Sequence, residues 1–303
     1  MTNDYGTFIA TMPILAIILL FLSASLHALW NFLLKKSHEK YIAMGWQVII
    51  SGIMSVVLIF FTGLPPRSMW LFAIISMILE AIYFILLSVA YTSHDFSLVY
   101  PIARGAAPAL LVLWSAIFLQ EKLTLGGYLG LAMITAGMMV IGATTLLQNR
   151  GGVSPQSGRK KPNLRGILVA LSVSLIISIY TLIDGTAVKS GPALSYGLSM
   201  FVMVPFVTTP YLRRHYGWGH FVESWNKNRS YLLLGGALGL IAYMLALFAY
   251  TFAPLSYSGA IREVSAVIGA FFGWRFLNEQ MGGIRVVGSA IVFAGVLVIA
   301  IFG

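Results

Sequence analysis

The 303-residue sequence contains no cysteine. Disulfide frameworks, thiolate metal sites and cysteine nucleophiles are therefore excluded. Charge is the second shortage: Asp, Glu, Lys and Arg make up 9% of the chain, where a soluble domain carries about 25%. So few charged side chains cannot cover a water-facing surface for a chain of this length, and most of its solvent must be lipid. Catalytic signatures are missing as well. There is no HExxH, no GxSxG and no GxxxxGK[ST], and five scattered histidines supply neither a metal set nor a nucleophile with its base. No cofactor, no metal and no ATP drive within the chain is expected. The net charge of +10 has no basic domain outside the membrane to sit on, so it reads as a face held against anionic lipid, with no nucleic-acid partner.

What is present is hydrophobic, 59% of all residues, with a mean hydropathy of +0.89. Ten apolar runs approach the ~20 residues that cross a bilayer as a helix: 13–34, 41–62, 69–92, 98–119, 125–147, 164–187, 196–212, 231–252, 255–276 and 284–302. Barrel strands would instead show alternating segments of ~10 residues. The first run is too long for a removable signal and lacks its basic leader and cleavage site. One composition shift interrupts the pattern, "QNRGGVSPQSGRKKPN" at 148–163. It predicts a flexible cytoplasmic linker between a first five-helix unit, 12–147, and a second, 164–303.

The two units are related. Ala90, Tyr91 and Thr92 recur as Ala249, Tyr250 and Thr251; after a one-residue gap, a constant offset of 158 pairs Arg104 with Arg262, Glu121 with Glu279, Gly130 with Gly288 and Gly137 with Gly295. Charged and glycine positions carry this register, so shared hydrophobicity does not explain it. The chain is read as a duplication. Because each unit has an odd number of helices, the second must enter the membrane from the opposite side. The expected fold is an all-α membrane protein of ten transmembrane helices arranged as two inverted five-helix repeats, an architecture of secondary transporters whose substrate site lies near the midplane between the repeats. Of the 19 Lys and Arg, 14 fall on the side of the linker and three on the other. By the positive-inside rule the linker is cytoplasmic and both termini lie outside.

The two remaining basic residues are Arg104, in "VYPIARGAAP" at 99–108, and Arg262. An ionisable residue inside an apolar span costs about 2.5–3.5 kcal/mol on insertion scales and marks a functional site by default. Each lies six or seven residues into its predicted helix, about 10 Å deep at 1.5 Å per residue. A guanidinium fork there can clamp a carboxylate, phosphate or sulfonate, or tie a buried carboxylate of another helix. Glu80 and Glu263 are the carboxylates within spans. Either forms a salt bridge to one of the arginines or exchanges a proton for substrate, and both readings stand at this stage. Tyr83 and Tyr91 share a helical face with Glu80; His27, Trp30 and Asn31 share one in the first span; Tyr250 shares one with Tyr243, and Ser178 with Ser174 and Thr181. These faces are expected to look inward and line a cavity. Asp184, near a helix end, is assigned to gating or interfacial anchoring. Glu121 and Glu279 precede the fifth and tenth helices and are expected to cap them. Ala132 with Ala136, and Ala290 with Ala294, form small-xxx-small pairs suited to close helix packing.

"HALWNFLLKKS" closing the first span, "YTLIDGTAVKSG" closing the sixth, and "FLQEKLTLGGYLGLAMITAGMMVIG" echoed by "FLNEQMGGIRVVGSAIVFAGVLVIA" resemble the EamA-type members of the drug/metabolite transporter superfamily. The resemblance covers nearly the whole chain. It implies an exporter, or sometimes an importer, of amino acids or other small metabolites in a plasma or bacterial inner membrane, with a central cavity lined by both repeats. The partners expected are a small-molecule substrate, the lipid bilayer, a coupling proton and, at most, a second copy in a weak homodimer. The runner-up from another class is an intramembrane enzyme, for which the catalytic groups are lacking. A passive channel would more naturally show a ring of like residues.

Overall fold

The computed structural model describes residues 12–37, 39–93, 96–151, 164–277 and 283–303. Among them run eleven α-helices: α1 (Ile14–Lys36), α2 (Lys40–Thr62), α3 (Arg67–Ser93), α4 (Phe96–Phe118), α5 (Leu125–Gly151), α6 (Leu164–Lys189), α7 (Ala193–Tyr216), α8 (Trp218–Tyr250), α9 (Leu255–Arg262), α10 (Val264–Leu277) and α11 (Gly283–Phe302). Six of the described helices are long and apolar enough to cross a membrane, and shorter apolar stretches lie in α4, α5 and α11. Helix is the only open structure that satisfies every backbone group inside lipid, which is why apolar runs of this length fold this way.

Two elements differ from the expectation. The ninth span is two helices, α9 and α10, that meet at Glu263. There the Glu263 N–H bonds the Ala260 carbonyl at 3.0 Å, three residues back, so one turn is tightened and the regular ladder is locally broken. α8 starts thirteen residues before its predicted run. Charged residues hid that extension from a hydropathy reading. It is held by the fully buried Phe221, whose carbonyl accepts the Trp46 indole N–H at 2.9 Å. Gly217 at φ +79° makes the tight turn that leads into it.

α5 and α11 form the closest helix pair, through glycine. A Cβ at Gly130 would come within 2.7 Å of the Gly295 carbonyl oxygen, and one at Gly137 within 2.7 Å of that of Gly288. As residue numbers rise along α5 they fall along α11, so the two helices are antiparallel. The sequence counterparts of Gly130 and Gly137 are thus each placed against the other member of the pair. Ala132 and Ala136, expected at this contact, are exposed. In a helix, residues two positions apart point about 160° away from each other, and the glycines have taken the interface.

The largest core gathers at one end. It joins Leu20, Met69, Ile134, Tyr196, Tyr250, Leu255 and their neighbours from every described helix but α2. At the same end Glu121, Lys189 and the N terminus of α9 meet, and the Thr124 hydroxyl donates to the Phe302 carbonyl. Toward the linker, the described core is split. Ala107, Val173, Ile177 and Tyr180 cluster among α3, α4 and α6, while Ile42, Leu212 and Phe221, with Ala43, Ile50 and Leu232 beside them, cluster among α2, α7 and α8.

Candidate functional site

Where that core divides, a cavity opens with an empty volume of about 460 Å³ including its mouth. Its wall takes Ala24 and His27 from α1, Pro108 and Leu111 from α4, Ser178, Tyr180 and Thr181 from α6, and Gly259, Arg262, Glu263 and Ser265 from the broken ninth span. Arg262 ends α9 and Glu263 is the junction residue, so both charges stand where the helix is interrupted. Local unwinding of this kind is tolerated in lipid only where the backbone is enclosed by protein or lines a cavity.

Arg262 is held from two sides. Its Nη1 donates to the Tyr250 hydroxyl at 2.7 Å, and its guanidinium lies over the Tyr243 ring, 5.3 Å from the centroid. Behind it sits Asp184, with no exposure to solvent. Tyr196 donates to Asp184 Oδ1 at 2.6 Å and Tyr243 donates to Oδ2. One hydroxyl on each oxygen satisfies an ionised carboxylate well. The Ser76 hydroxyl lies beside the same carboxylate, outside good hydrogen-bond geometry. Glu80 is buried next to this group, within electrostatic reach of Asp184 and Arg262 and beside the Tyr243 hydroxyl. Two carboxylates, one guanidinium and three phenols from α3, α6, α7, α8 and α9 thus form a single buried polar network. Burial of that much polarity is sustained only by mutual satisfaction of its members.

Of the residues expected at the site, Arg262, Glu263 and His27 meet at the cavity, and Glu80 and Tyr250 belong to the network behind it. Tyr83 packs against Tyr180 at 6.2 Å, one residue back from the wall. Trp30 lies over Gly239, 5.1 Å from the His27 ring. Asn31 donates to the His27 carbonyl at 2.8 Å in its own helix. The side chains of Arg104 and Tyr91, and all of Glu279, lie outside the described residues. Asp184 is not an interfacial anchor: it is the most enclosed carboxylate of the network. The signal was its depth, five residues from the end of α6, comparable to that of the arginines. Glu121 does not cap α5, which it precedes. Its carboxylate turns to the N terminus of α9.

This arrangement of helices and cavity can be compared with known proteins. Residues 14–143 and 164–301 each match the EamA-like transporter family. The chain belongs to that family. It is accordingly a multi-pass membrane protein of the drug/metabolite transporter superfamily, built of two EamA repeats. None of the curated proteins matches it. A solved crystal structure, titled only "Crystal structure of protein", superposes with a TM-score of 0.73 over 94% of this chain and 97% of its own, at 15% identity. At that identity the likeness speaks to the fold alone.

Proposed function

We propose that this EamA chain is a secondary active transporter, working as an exporter of small metabolites that carry an acidic group, such as amino acids or organic or phosphonic acids. It acts by alternating access in the plasma or bacterial inner membrane, with its termini outside the cytoplasm and its substrate bound between the inverted repeats 12–147 and 164–303. The export direction rests on the family alone. The observation that carries the reading is the cavity at the break in the ninth span, whose wall takes Arg262 from one half of the chain and His27 and Leu111 from the other. A guanidinium in a low-dielectric cavity binds a carboxylate or phosphonate bidentately. Arg104, the sequence counterpart of Arg262, is the second candidate for that contact, with Tyr91 near it in the sequence.

Proton coupling follows from the balance of charge. Glu80 and Asp184 face one guanidinium, Arg262. Those two leave one negative charge unmatched, and Glu263 in the cavity wall adds a second; a proton on Glu80 or an ammonium group of the substrate neutralises the first. Competition between the two for one carboxylate is a way to exchange a proton for a substrate. Amino acids, with both an ammonium and a carboxylate, fit this set better than purely anionic molecules. The working unit is a monomer or a weak homodimer.

Reconstituted protein loaded with a panel of radiolabelled amino acids and organic acids tests the reading. Arg262→Ala is expected to lower uptake by counterflow at least 100-fold for substrates with an acidic group, and Arg262→Lys about tenfold, because an ammonium keeps the charge and loses the fork. Undiminished transport by folded Arg262→Ala protein overturns the clamp.

A further inference from the structure

Glu121 is largely buried, with 8% of its side chain exposed, yet it lies at an end of the bundle and not in the cavity. Four donors converge on it. Oε1 accepts the Leu255 N–H at 2.7 Å and the Lys189 ammonium at 3.2 Å; Oε2 accepts the Ser256 N–H at 3.1 Å and the Ser256 hydroxyl at 2.7 Å. Every one of these donors belongs to the second half of the chain, and the acceptor to the first. The first N–H groups of a helix have no partner within it. Pro254, the N-cap of α9, provides no side-chain cap, so Glu121 supplies from the α4–α5 turn the carboxylate that this N terminus favours.

The turn that delivers Glu121 is built for the purpose. Gln120 adopts φ +53°, the one described non-glycine residue with positive φ, a conformation that costs energy and persists only where the surroundings enforce it. The next turn repeats the tie: the Thr124 N–H donates to the Tyr257 hydroxyl at 3.2 Å, and Gly127 lies directly under that hydroxyl, where any Cβ would collide. α9 is only eight residues long and Arg262 is its last. Whatever holds the first turn of α9 therefore sets the position of Arg262, about 10 Å along the helix.

The largest described core lies at this end. We propose that Glu121 is the latch of a gate: it holds the end opposite the linker shut in the conformation seen here, by clamping α9 and the end of α6 to the α4–α5 turn, and it must release Leu255, Ser256 and Lys189 for that end to open. This inference rests on the alternating-access reading above. In that mechanism one bundle rocks against the other around the site, and a latch between halves at one end biases which side is reached.

Because the chain has no cysteine, a single introduced thiol reports access without background. His27→Cys puts one in the cavity wall at a half-buried position. Its labelling by a membrane-impermeant maleimide is measured in right-side-out and inside-out vesicles. The parent is expected to react at least ten times faster from the linker face. Adding Glu121→Gln should raise the rate from the opposite face at least tenfold and lower the rate from the linker face. Ser256→Ala, which deletes one hydroxyl, should give a smaller rise in the same direction, and keeps the test open should Glu121→Gln fail to fold. A folded variant whose opposite-face rate is unchanged, or whose rates rise equally from both faces as simple loosening would produce, overturns the latch. Labelling needs no substrate. A chain that moves none of the panel compounds yet shows the one-sided change refutes the transport reading and not the latch. Flat labelling alongside normal transport by the cysteine-free chain refutes only the latch.

Discussion

At the end of the bundle bearing Glu121 and at the end bearing the linker, the described side chains are grouped differently. At the first, every described helix but α2 contributes to one core, and the Glu121 carboxylate accepts from ammonium and backbone donors of the other half. At the second, the described side chains form separate clusters, one among α3, α4 and α6 and others among α2, α7 and α8. Its polar ties join elements that already pack along their lengths: Glu39, preceding α2, pairs with His220 of α8 at 2.8 Å. The comparison teaches that sequence hydrophobicity fixes how many helices meet the lipid. Where small residues and capping carboxylates fall decides which helix ends are tied together.

The α5–α11 seam should be the hardest part of the sealed structure to disturb. Gly137→Leu would drive a side chain into the Gly288 carbonyl and Val292. Overpacking costs about 1–3 kcal/mol where neighbours can shift, and here backbone is the obstacle. The expected result is loss of the monodisperse folded peak in detergent, followed by size-exclusion fluorescence.

Next in size, Asp184→Asn removes the carboxylate shared by Tyr196 and Tyr243, leaving a charge network without its central anion. A loss of roughly 2–3 kcal/mol in thermal unfolding is expected, with transport reduced to background. Tyr196→Phe should cost about 1 kcal/mol, since Tyr243 still holds the other oxygen. Equal effects from the two variants would mean that Asp184 is not the hub.

Glu80→Gln tests the second carboxylate of the network, behind the cavity, and should leave folding nearly intact. Transport by this variant is expected to lose its dependence on pH and on an imposed proton gradient while exchange of labelled for unlabelled substrate continues. Retained proton dependence assigns the coupling elsewhere. The smallest effect should come from Ala132→Leu, at an exposed position on α5, within about 0.5 kcal/mol of the parent. A large loss there would mean that this face is covered.

Much of the architecture was legible in the sequence, because each main signal was of a kind that hydropathy and register report. Runs of 20 apolar residues gave the helices, and the offset of 158 gave the duplication. Arg262, Glu80 and Glu263 stood out since a charge in an apolar run has few reasons to be there. What escaped depends on rotation and distance. Periodicity identifies a face but not the neighbour it meets, so it does not separate Ala132 and Ala136 from Gly130 and Gly137, one or two residues away and about 100° or more around the helix. Asp184 was read by its nearness to a helix end, although its partners Tyr196 and Tyr243 come from two other helices. Glu121 stood before α5 and was assigned to it, while the N terminus it satisfies is 134 residues away in the chain. The break at Glu263 leaves no glycine or proline to betray it.

The glycine seam also carries a record of origin. Gly130 touches Gly295 and Gly137 touches Gly288, while the register of the two halves equates Gly130 with Gly288 and Gly137 with Gly295. Exchange the halves and the contact maps onto itself. That is the signature of an isologous interface, the kind two identical five-helix chains would form as a homodimer, so fusion into one polypeptide needed only to preserve a surface that its ancestor already used to meet itself.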